Sequence, residues 1–259
     1  MDIALHIETL NSFAHSYLTG NEQLDEYIRL KLAHSLRVLD NANLISESEN
    51  LTGHTGDLCR LAALYHDIGR FPQLAKYKTF NDRESINHGR LGATTLRSFP
   101  LPGQLSDRDM RTIRFAVAQH NLKSIRPSLP EHLASPTQVV RDADKIDIFR
   151  VMIEHFTSDE PDPTVTHGFA DVPDKYSMEI YDAVMVQHPA DYTLIRYAND
   201  FKLILLGWLN DLHFASSLRL LVERRYIKEM FSLLPKDDKI KALEDMFETL
   251  TCYNCDSPS

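Results

Sequence analysis

Apolar residues recur along this chain at intervals of three and four, the spacing of a helix with one buried face. Leu24, Ile28, Leu32, Leu36 and Leu39 form one stripe, with Val38 beside it, and predict a helix over 25–43. A second stripe at Leu58, Leu61, Ala62, Leu64, Tyr65 and Ile68 predicts a central helix over 58–70, with Thr55 as its N-cap and Gly69 and Pro72 as its stop. A polar loop over 71–87 comes next. Asn87-His88-Gly89 then opens a helix through Leu91, Thr95 and Leu96, ended by Pro100-Leu101-Pro102-Gly103. Ser106 or Asp107 caps the next helix, over 108–119, with Met110, Ile113 and Val117 apolar.

A breaker-rich loop over 125–136 leads into a helix beginning at Thr137. There Asp142, Asp144 and Asp147 interrupt an apolar pattern of Val139, Val140, Ile146, Ile148 and Phe149. Residues 159–173 contain several prolines and read as a flexible connection. Helices return over 177–187 and over 192–234, the second broken near Gly207 or Phe214, with Ile195, Leu203, Leu206, Leu209 and Leu212 packing inward. Trp208 reads as a core or lid residue, and 251–259 as a disordered tail.

Runs of alternating β-branched residues are missing and the chain has only 9 glycines, so the expected fold class is all-α. The expected division is a helical domain over 1–158 and a C-terminal helical extension over 159–259, the two forming two domains or one compact one. A hydrophobic share of 43% and a charged share of 25% are those of an ordinary globular protein. A net charge of −9 argues against a nucleic-acid polymer as partner, although a local cation can still hold a phosphate. The first ten residues carry Asp2, His6 and Glu8 and lack the basic start and apolar core of a signal peptide. No apolar run is long enough to span a bilayer. Three cysteines build no disulfide framework, so the expected setting is a reducing cytoplasm. Cys252 and Cys255 have zinc-like spacing, but no second pair follows, and they read as part of the tail.

The chemistry lies at the helix ends. His66 and Asp67 sit side by side at the end of the central helix, where burial is costly unless something pairs with them. Alone, such a pair is most simply explained by bonds to nearby backbone. Taken with His34, His88, His120 and Asp144, each near the end or inner face of a predicted helix, it becomes a candidate metal set, since helical bundles bring inward side chains from several helices together. Four imidazoles and two carboxylates suit Fe, Mn or Zn and suit Ca poorly. Six ligands exceed the need of one catalytic ion and suit two ions sharing a carboxylate.

The order His34, His66-Asp67, His88, His120, Asp144, with the local text His66-Asp-Ile-Gly-Arg-Phe and Asp142-Ala-Asp-Lys-Ile-Asp, resembles the HD-domain superfamily of metal-dependent phosphohydrolases over residues 27–151. The resemblance implies an all-helical bundle with additional C-terminal helices. It also implies hydrolysis of a small phosphorylated substrate, monoester or diester and among others a nucleotide, by a hydroxide generated at two divalent ions: Fe, Mn or Zn, with Mg or Ni as further candidates. His34, His66, Asp67 and Asp144 match the core ligands, with Asp67 bridging. His88 and His120 match the extra ligands of the dinuclear branch. Asp144 is preferred over Asp142 on motif position. Arg70 matches a phosphate contact, and Lys145 either meets substrate or pairs with Asp142. Lys78, Arg83 and Lys123 are further loop cations within the expected reach of a phosphate. The Gly-Tyr-Pro signature of the cyclic-di-GMP branch is missing. Two alternatives keep the resemblance and change the role: a mixed-valent di-iron oxygenase, and a degenerate HD module that binds or regulates. No Gly-rich nucleotide loop and no serine-hydrolase elbow appears, and substrate and oligomeric state are left open.

Overall fold

A computed structural model describes residues 1–126, 128–160 and 169–255. Helices dominate, and the only β feature among the described residues is an isolated bridge between Ala170 and Tyr197. Packing divides the chain into two units, Met1–Asp147 and Ile148–Ser259.

The first unit opens with α1 (Ile3–His15), a helix that the hydrophobic pattern did not announce. Asp2 caps it through Leu5 N, and Leu10 and Ala14 are its fully buried residues. Next comes α2 (Glu22–Ser48), capped by Asn21 and longer at both ends than the expected 25–43. Then α3 (Gly53–Tyr65) begins at Gly53, so Thr55 lies inside its first turn and is not its cap. Burial of Leu58, Leu61 and Leu64 drives that helix, and nothing in the preceding residues stops it from extending backwards.

The expected break after the central helix is real, but residues 71–77 are not the loop that their polarity predicts. His66 ends α3, Gly69 begins a new short helix, α4 (Arg70–Tyr77), and only 78–87 forms the loop. Pro72 is compatible with α4 because it falls in the first turn, where a backbone N–H has no helical acceptor. Two more helices are α5 (His88–Ser98), capped by Asn87, and α6 (Asp107–Gln119), with a Ser106–Asp109 capping box. Last is α7 (Glu131–Thr157), which starts earlier than expected and contains Pro136; the division between the units falls within it.

Within the first unit α3 is central, packing against α1, α2 and α6, while α5 packs on α4 and α6. Two polar clamps fix the N-terminal half of α7. Asn41 Nδ2 donates to Ala143 O at 3.0 Å. Arg141 Nη1 donates to Gln119 O, His120 O and Leu122 O at 3.2, 3.1 and 2.5 Å, which satisfies carbonyls the end of α6 leaves without helical partners.

The second unit holds α8 (Met178–Met185), α9 (Ala198–Gly207), α10 (Ala215–Glu223), α11 (Tyr226–Ser232) and α12 (Asp238–Cys255), with 3-10 turns at Tyr192–Leu194 and Trp208–Asp211. The expected 192–234 helix is broken at Gly207 and before Ala215, as anticipated, and again at Arg225, whose φ is 63°. Leu203, Leu206 and Leu209 are buried, whereas Ile195 and Leu212 are half-buried. Trp208 is half-buried and donates to Tyr192 Oη at 2.7 Å. Residues 251–255, expected to be disordered, continue α12, and 256–259 lie outside the described residues, as do 161–168 of the expected connection. No helix of the described residues is long and apolar enough to cross a membrane.

Candidate metal centre

Helix ends and inner faces of the first unit bring the sequence-nominated residues together. His34 lies midway along α2, His66 and Asp67 in the turn after α3, His88 at the start of α5, His120 at the end of α6, and Asp144 on α7. Two glycines make the approach tight enough. A Cβ on Gly69 would lie 2.3 Å from His88 O, and one on Gly89 would lie 2.9 Å from Val117 O. Any side chain there would push α5 away from the Asp67 turn or from α6.

Asp67 is buried, and its two oxygens face different groups. Oδ2 lies 3.7 Å from both His34 Nε2 and His66 Nε2. Asp144 Oδ1 completes that side, 3.1 Å from His34 Nε2 and 3.7 Å from His66 Nε2. Asp67 Oδ1 lies 3.4 Å from His88 Nε2 and 3.9 Å from His120 Nε2. Asp144 meets His34 as the motif position implied; Asp142, two residues earlier, is buried.

Each imidazole is oriented from outside. His66 Nδ1 donates to Ala63 O and His120 Nδ1 to Val117 O, both at 2.7 Å. His34 Nδ1 meets Asp147 Oδ2 at 2.6 Å, and His88 Nδ1 meets Asp82 Oδ2 at 2.7 Å. These acceptors put the ring proton on Nδ1, so all four Nε2 lone pairs converge on the space around Asp67. His34 Nε2 and His66 Nε2 are 3.2 Å apart, and His88 Nε2 and His120 Nε2 are 3.0 Å apart. Facing lone pairs at that separation repel unless a cation lies between them. Asp67 Oδ1, buried and without a hydrogen bond, is a further donor with the same need. The set therefore fits divalent metal. Among the described residues, two groups of metal-ligating geometry emerge: His34, His66 and Asp144; and His66, Asp67 and His120.

The electrostatics agree for three of the four imidazoles. Burial, opposed only in part by neighbouring acids, pushes His66 below its ordinary value. His88 and His120 fall to about 4, burial being the main cause, aided by Arg70 for His88 and by His66 for His120. All three are neutral ligands at neutral pH. His34 moves the other way: burial and Lys31 lower it, but Asp144 and Asp147 outweigh them. Burial opposes ionisation of Asp67, yet Lys31, His66, Arg70 and His88 hold it well below the carboxylate range. Asp144 is likewise held ionised against burial by His34, His66 and His120.

The nominated cations are placed differently. Arg70 Nε lies 3.4 Å from Asp67 Oδ1, but its Nη1 donates to Gln73 Oε1, Phe80 O and Asp82 Oδ1 at 2.9, 2.6 and 3.2 Å, so this end of the guanidinium anchors the 78–87 loop. Lys145 is buried on α7, turned about 100° from its neighbour Asp144 by helix geometry. Lys78, Arg83 and Lys123 are exposed.

Lys31 was not among the residues that the sequence nominated. Its Nζ lies 2.9 Å from Asp67 Oδ2, with the side chain 18% exposed, and 5.6 Å from the Phe80 ring centroid. Asp147, Asp82 and Asn121 were also not assigned to the site. Helical spacing carried a signal for two of these: Lys31 is three residues before His34, and Asp147 three after Asp144, each on the same face as a nominated ligand. Asp82 and Asn121 had no such signal, because one lies on a loop and the other just beyond a helix.

Residues 32–148 match the family model for the HD domain. No curated protein and no solved structure matches the chain. HD domains bind divalent metals and are largely metal-dependent phosphohydrolases, with some non-enzymatic members.

Proposed function

We propose that this protein is a metal-dependent phosphohydrolase acting on a small phosphate ester through a dinuclear centre. The observation that carries the reading is Asp67, whose Oδ2 faces the His34, His66 and Asp144 side while Oδ1 faces His88 and His120. His34, His66 and Asp144 would hold one divalent ion, His88 and His120 the other, and Asp67 both. When bound, such ions lower the pKa of coordinated water toward neutrality and polarise phosphoryl oxygens.

The protein groups do the rest. Lys31, partly exposed and within ion-pair distance of Asp67, is the cation most open to an incoming phosphoryl group and stabilises the charge that develops on its oxygens. Arg70 holds the 78–87 loop through Phe80 O and Asp82, and its Nε, 3.4 Å from Asp67 Oδ1, adds positive potential beside that carboxylate. Depressed basicities keep the inner imidazoles neutral and available as ligands near neutrality.

The test is hydrolysis of p-nitrophenyl phosphate and bis(p-nitrophenyl) phosphate, with a panel of nucleoside monophosphates. Chelator-stripped protein reloaded with Mn or Fe should turn over at least one substrate, and Asp67→Asn should not. Fully loaded protein that hydrolyses none of them overturns the reading.

A further inference from the structure

The two sides of Asp67 are not built alike. His34 is held by Asp147, whose side chain is 2% exposed and also accepts from Arg37 Nε at 2.8 Å. His34, Arg37 and Asp147 all belong to α2 and α7, the two longest helices among the described residues. That side also has Asp144, so four protein groups converge on it.

His88 is held by Asp82, whose side chain is 27% exposed and stands on the 78–87 loop. The other side has His120 and Asp67 besides His88, and His66 stands between the two, grouped with Asp67 and His120 as well as with His34 and Asp144. What fixes Asp82 is a set of polar anchors: Gln73 Nε2 to Asp82 Oδ1 at 2.9 Å, Arg70 Nη1 to the same oxygen at 3.2 Å, and Asn121 Nδ2 to Oδ2 at 3.2 Å. Gln73 is fully buried and also donates to Ser85 Oγ and Ile86 O, both at 2.9 Å. The loop is therefore part of the second side's ligand support.

Resting on the dinuclear reading, we propose that the two ions are unequal. The ion at His34, His66 and Asp144 is the resident one. The ion at His88 and His120 is the exchangeable one, and Asp82 is the positioning residue that sets its affinity. A partly solvated carboxylate on a loop aims its imidazole less firmly than a buried one braced between long helices. Asp82 touches no reacting atom. It acts by aiming His88 Nε2 and by tying that aim to the loop through Gln73 and Asn121.

The experiment titrates chelator-stripped full-length protein with Co²⁺, following visible absorption and ions per chain after dialysis, with thermal melting as a folding control. Wild-type protein should bind in two separable steps. In Asp82→Asn, which keeps volume and fold, the second step should weaken about 10–100-fold while the first is unchanged. Asn121→Ala should weaken the second step less, and Asp147→Asn should weaken the first. A folded Asp82→Asn protein that keeps both steps, or loses both equally, overturns the inference. A wild-type plateau at one ion per chain overturns the dinuclear reading and the inference with it, and so separates the two failures.

Discussion

Two buried aspartates, Asp67 in the first unit and Asp200 in the second, show what marks a site in this molecule. Asp200 is completely buried and accepts from Ser177 N, Ser177 Oγ, Arg196 N and Tyr197 N at 2.5, 2.8, 2.9 and 3.0 Å. Donors surround its carboxylate, and its work is to pin the start of α9 to the residue that precedes α8. Asp67 is as buried, and its Oδ2 accepts from Lys31, but Oδ1 has no hydrogen bond and imidazole nitrogens surround the carboxylate. Equal burial with one oxygen left unsatisfied separates a carboxylate arranged for a ligand from a structural one.

Acid should break the histidine cluster around Asp67, with the largest effect. His88 and His120 titrate at about 4 in the fold and at 6.5 when unperturbed, so the unfolded chain binds more protons between those values. Stability of the metal-free protein therefore rises with pH across that window and is lost as pH falls, by about 3 kcal/mol for each histidine. The backbone N–H and hydroxyl partners of Asp200 do not titrate there. Urea midpoints from pH 7 down to 4 should fall, and His88→Gln with His120→Gln should flatten the slope; an unchanged slope counts against neutral inner imidazoles.

Next, Asp67→Asn should cut phosphate-ester turnover about a thousandfold, about 4 kcal/mol of transition-state stabilisation, and lower the ions bound per folded chain. Asp200→Ala should do the reverse. It should cost about 3 kcal/mol of stability by stranding buried donors, and leave the ions bound per folded chain intact. Calorimetry beside metal analysis separates these outcomes, and the comparison fails if both variants lose the same property.

Metal removal should lower the melting transition by the linkage amount, about 2.7 kcal/mol at ion concentrations one hundred times the dissociation constant. The smallest effect is expected for Lys31→Gln: about a tenfold loss in kcat/KM, with both ions still bound, since Lys31 pairs with Asp67 across a partly solvated contact. Loss of an ion in that variant would assign Lys31 to metal support and not to substrate.

Much of this molecule was legible in the chain itself. Period-3.6 stripes located most of the helices because each has one face to bury. Histidines and aspartates at helix ends and on inner helix faces, with Asp144 chosen by motif position from the family resemblance, nominated six residues that do converge. The helix α1 escaped notice, as did α4, because a short amphipathic segment and a proline in a first turn read as coil until packing selects a backbone for them.

Distance, by contrast, came from packing alone. Gly69 and Gly89 matter through backbone atoms of other segments less than 3 Å from where a Cβ would stand. Asp82, Asp147 and Asn121 matter through imidazoles that they meet across the fold. Arg70 turned toward its own loop while Lys31 took the position over Asp67, because the 78–87 loop offered Arg70 acceptors that no periodicity could announce. Periodicity fixes which face of a helix is buried; only the packed chain determines which polar atoms that burial leaves facing each other.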